Sequence, residues 1–114
     1  MVLAGMLLLM PAVTLSPWTS PPAVTASGMH LLSLALVSLL ACLSFRSNPA
    51  RAGAVVFVFS YSALMELFQY HLPFRNGTWD DVVVNGAGCL LGVAVFVVLR
   101  SMFYLQGLIA ELKN

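Results

Sequence analysis

How little charge interrupts its long apolar runs is the strongest constraint on this chain. Only 8% of the side chains are charged and 61% are hydrophobic, too few charges to solvate an ordinary globule of 114 residues. Apolar runs over about 2–17, 28–45, 53–72 and 79–106 alternate with breaks rich in Pro, Asn, Gly and Ser. The pattern predicts an all-α fold, an integral membrane bundle of four transmembrane helices, in one domain over residues 1–114, because spans of about 20 residues joined by short loops leave no room for a second domain.

The first run has a second reading. No basic residue precedes it, and Val24, Thr25 and Ala26 are small enough for a signal peptidase. A retained helix kinked near Pro11 is the expectation, because a signal segment would carry a positive start. The loop over 18–27 places Trp18 at the interface, Asn48-Pro49 reads as a firm break, and Pro73 ends the third run. Thr78 stands where it can cap the last helix, with Asp80 and Asp81 in its positive first turn.

Orientation follows from the basic residues, which accumulate on the cytoplasmic side. With four spans and both termini inside, Arg46, Arg51, Arg100 and Lys113 are cytoplasmic and Arg75 alone is outside. A net charge of +1 without a basic stripe argues against a nucleic-acid partner. No Cys-x-x-Cys or His-Glu-x-x-His spacing is present, so no metal or other cofactor is expected. Cys42 and Cys89 should lie at different depths, which argues against a disulfide.

Function is concentrated in residues 66–92, which hold three of the four carboxylates. Ionisable side chains within spans cost roughly 2.5–3.5 kcal/mol unless paired or wetted, and so mark functional sites more often than not. On the drawn topology His30 opens the second helix at its outer end, Glu66, Gln69 and His71 close the third, and Asp81 and Asn85 open the fourth. Ser62, Glu66 and Gln69 share one helical face, as do Asp81, Asn85, Gly88 and Gly92. Gly88-x-x-x-Gly92 permits close approach of another backbone. The expectation is that this stripe packs the fourth helix on the third, flooring an outward-facing polar pocket. His71 and Asp80 read more simply as a wetted loop residue and a helix-start charge.

The spaced set Glu66-x-x-Gln69, Pro73-x-Arg75, Thr78, Asp81, Asn85, Gly88 and Gly92 resembles the motif of the VanZ-like family of small bacterial membrane proteins, named for a protein associated with teicoplanin resistance. The family commonly carries an Asp-Lys pair at the start of the second helix, followed by a His two residues beyond. Ala26 and Ser27 stand in place of that pair here, and only His30 remains. The resemblance implies a multi-pass protein of the bacterial cytoplasmic membrane, in the cell envelope, linked to glycopeptide sensitivity. It supplies no reaction.

Three functional readings stay open. In the leading one the outer pocket binds an anionic lipid-linked or cell-wall precursor, with Arg75 as anion contact, Gln69 and Asn85 as orienting groups, and Glu66, Thr78, Asp81 and His30 around them. In the second the protein is an enzyme acting on a lipid head group, with Glu66 as general acid and Asp81 as base. In the third it is a structural or assembly subunit whose polar stripe meets a partner helix, a homo-oligomer included.

Overall fold

The computed structural model describes residues 4, 5, 7, 8, 23–73 and 78–113, apart from the side chains of 23–26. Among these the chain is all-helical, with α1 over Ala23–Ser44, α2 over Asn48–Tyr70 and α3 over Trp79–Leu112. All three are long and apolar enough to cross a membrane, so three candidate spans stand where four were expected. Most of the expected helix over 2–17 lies outside the described residues, as do Trp18, Arg75, Asn76 and Gly77. Within that first run Ala4, Gly5, Leu7 and Leu8 are helical. Leu7 packs against the core, and its carbonyl accepts a 3.0 Å hydrogen bond from the Tyr61 hydroxyl.

Each helix is longer than its apolar run, for local reasons. Asn48-Pro49 is the first turn of α2 and not a break: Ser47 is the N-cap, its hydroxyl accepts from Ala50 N–H at 3.4 Å, and Pro49 occupies a position whose missing N–H costs the helix nothing. α1 begins at Ala23, so His30 lies about two turns inside it and not at its opening. α3 reaches Leu112, because residues 100–112 contain no breaker stronger than Gly107. Its 34 residues rise about 51 Å, well beyond a hydrocarbon core of about 30 Å.

Thr78 caps α3 as the sequence predicts. Its Oγ1 accepts from Asp81 N–H at 3.3 Å and donates to Asp81 Oδ2 at 2.8 Å. Thr78→Ala is therefore expected to cost about 1 kcal/mol, read as a lower unfolding temperature in mild detergent. Ser47→Ala should cost less, because its cap bond is longer.

Packing centres on α1 and α3, which share the most extensive interface. A Cβ on Gly88 would come within 2.6 Å of Leu31 O and 3.0 Å of Leu34 Cβ, and one on Gly92 would collide with Ala35 O. The expected pairing of this stripe with the Glu66 helix is thus corrected: it receives the backbone of α1. A small-residue stripe shows that some backbone comes close without saying whose. Four residues along α3 match four along α1, so the two helices run in the same sense and α2 runs against them. The α2 side of α3 is served by Gly86, whose Cβ position lies 3.4 Å from the Phe59 ring. Leu34, Val37, Ala41, Val58 and Cys89 form the buried apolar cluster, with Ala54 and Val55 against it. Cys42 and Cys89 are both buried free thiols.

Candidate functional site

This topology brings the second half of α2 beside the first halves of α1 and α3. Past Val58, every buried residue of α2 is polar: Ser62, Glu66 and Gln69. Asn85 opens the buried stripe of α3 that continues through Gly88, Cys89 and Gly92. Leu32, Phe57, Leu67 and Val83 meanwhile face outward. Apolar outside and polar inside is the reverse of a water-soluble core, and it suits a lipid solvent around a polar interior.

Glu66 is 4% exposed, and its Oε1 lies 3.6 Å from Nδ1 of His30, whose side chain is 22% exposed. The distance is that of an ion pair when the imidazole is protonated, beyond the usual range of a direct hydrogen bond. The pair ties α1 to α2 at the polar end. The sequence places both residues at one level, and their 36-residue separation carries no local signal that they pair. Gln69 is buried one helical turn further on, and Asn85 is 1% exposed with no hydrogen bond to its Oδ1. Asn85 precedes Gly88 by three residues, about 4.5 Å. Since Gly88 abuts Leu31, Asn85 stands level with the part of α1 that holds His30. Ser62 is committed to its own helix, donating to Phe59 O at 2.8 Å.

Thr78 and Asp81 stand at the start of α3. Asp81 is half-buried and accepts the Thr78 hydroxyl, so both serve the helix start. Asp80 and His71 are exposed, and the His71 ring lies 2.8 Å from Leu67 O at the end of α2. Arg75 lies outside the described residues. Among the described residues no group of three His, Cys, Asp or Glu converges as a metal site.

At the other end, a second set of polar residues escaped the sequence reading. Asn48 Oδ1 accepts from Arg51 at 2.8 Å and from Arg100 at 3.3 Å, and Arg51 Nε donates to Cys42 O at 3.0 Å. The Arg51 guanidinium lies 4.9 Å above the centroid of the Phe96 ring. These residues line a groove of about 880 Å³ between the first half of α2 and the second half of α3, which continues past Arg100 along Tyr104 and Leu105. Arg100 and Asn48 are 52 positions apart, so only the fold unites them.

Apolar helices of spanning length, with polar side chains buried between them at one end, define a small helical membrane protein. Residues 5–100 match the model of the VanZ/LLP1 family, and the chain belongs to that family. Neither the curated proteins nor the solved structures contain a match to it.

Proposed function

We propose that this VanZ/LLP1 protein holds an anionic lipid-linked or cell-wall precursor at its polar end, on the outer side of the bacterial cytoplasmic membrane, and through that ligand bears on sensitivity to teicoplanin-type glycopeptides. One observation carries the reading. A membrane bundle has replaced its apolar interior by Glu66, Gln69 and Asn85 at a single end, and such groups are expensive in a bilayer unless they serve a ligand or each other. Gln69 and Asn85 supply hydrogen bonds that orient the ligand, and His30 holds the Glu66 carboxylate in place. Arg75 is the anion contact, Thr78 and Asp81 form the rim, and the Arg75 loop faces outward by the distribution of basic residues.

Binding accounts for these residues better than catalysis by a carboxylate pair. Asp81 already has a part that needs no reaction, since its Oδ2 accepts from the Thr78 hydroxyl in the cap of α3.

The test compares wild type, Glu66→Gln and Arg75→Gln in native-membrane discs, with co-purifying lipids and wall precursors measured by mass spectrometry. A precursor enriched in wild type and reduced at least about tenfold in both variants is the expected result. Equal profiles from well-folded proteins, with unchanged glycopeptide sensitivity at equal abundance, would leave the polar end a structural lock.

A further inference from the structure

The groove at the opposite end has its own chemistry, independent of any ligand at the polar end. Two guanidiniums, Arg51 and Arg100, converge on one neutral acceptor, Asn48 Oδ1. Among the described residues no carboxylate lies within ion-pair distance of Arg51 or Arg100, so neither arginine is neutralised by one. Like charges held together beside an apolar wall repel more strongly than they would in water. Asn48 orients them without cancelling either. The start of α2 adds the positive end of a helix dipole at the same place.

Each arginine keeps donors to spare. Of the five N–H groups of Arg51, one is given to Cys42 O and one to Asn48. Arg100 is exposed and gives a single bond. Beyond Phe96, whose ring lies under the Arg51 guanidinium, the groove becomes apolar, walled by Val55, Val93 and Val97. Val97 is 54% exposed, so the groove opens sideways to the surrounding solvent, which for this part of a span is lipid. A doubly positive patch at the start of α2, with an apolar and laterally open channel running from it along Val55, Val93 and Val97, complements the charge and apolar tail of an anionic phospholipid.

We propose that this groove seats one anionic phospholipid from the adjoining leaflet, with its phosphate diester on Arg51 and Arg100 and an acyl chain along Val55, Val93 and Val97. The phosphate accepts from both guanidiniums, and the chain covers apolar surface that two helices leave open. An interfacial basic pair contributes about fivefold in affinity per arginine.

Native mass spectrometry of the detergent-purified protein tests this with phosphatidylglycerol and phosphatidylcholine of matched acyl chains. Wild type is expected to retain phosphatidylglycerol at least about tenfold better than phosphatidylcholine. Arg100→Gln should lower that preference about fivefold, Arg100→Lys should restore most of it, and Arg51→Gln with Arg100→Gln should abolish it. Val97→Trp should reduce retention with both guanidiniums intact. Arg100 and Val97 are exposed, so these variants should fold, and circular dichroism checks that they do. Equal retention of the two lipids, or a preference indifferent to Arg100→Gln, would overturn the proposal. So would displacement by millimolar inorganic phosphate, which would mark a simple anion site, or a lipid-free dimer broken by Val97→Trp, which would make a second copy the occupant.

Discussion

Gly92→Ala is expected to destabilise the bundle by about 3 kcal/mol, the upper end of what one added methyl costs in a packed interior. The usual remedy for overpacking is rotation of a neighbouring side chain, and it is closed here. The new Cβ would run into Ala35 O and come within 2.9 Å of Ser38 Cβ and 3.0 Å of Leu39 N. Two of these three atoms are α1 backbone, so relief requires α1 and α3 to separate along their main interface. Gly88→Ala should act the same way, against Leu31 O and Leu31 Cα. Gly107→Ala is the control: nothing lies within 4 Å of its Cβ position, and the better helix former should leave stability unchanged or raise it by up to about 1 kcal/mol. Unfolding in mild detergent reads all three, and a Gly92→Ala protein as stable as wild type would mean that α1 and α3 are not in contact there.

That glycine stripe also shows where reading the sequence reached its limit. The spacing of Gly88 and Gly92 announced a close helix contact, and the contact exists, but the partner is α1. Spacing along one helix carries no information about which neighbour lies opposite. The Thr78 cap was legible because it is local, three residues from donor to acceptor. Asn48-Pro49 was misjudged at equally short range, since a proline just after a capping serine starts a helix as readily as it ends one. The polar end was legible as a level, from the helical spacing of Ser62, Glu66 and Gln69. The approach of His30 to Glu66 and the meeting of Arg100 with Asn48 were not, since each joins residues far apart in sequence on different helices.

Asn85→Leu is expected to separate binding from stability at the polar end, with opposite signs. An Asn at 1% exposure whose Oδ1 receives no hydrogen bond costs the fold about 1–3 kcal/mol. A leucine keeps the branched outline, though bulkier, and removes that cost, so the variant should unfold at least as hard as wild type, by up to about 1 kcal/mol after imperfect packing is counted. If Asn85 is there to meet a ligand, the same change abolishes ligand retention in membrane discs, giving a protein that is more stable and inactive. Residues retained at the expense of stability behave in this way. If Asn85 instead glues helices together, Leu lowers stability and leaves retention to fall only with protein abundance. Gly92→Ala supplies the comparison, because a packing defect should reduce stability and retention together. Measuring unfolding and co-purifying ligand on the same preparations of both variants therefore distinguishes a binding group from a structural one, without the ligand having been identified beforehand.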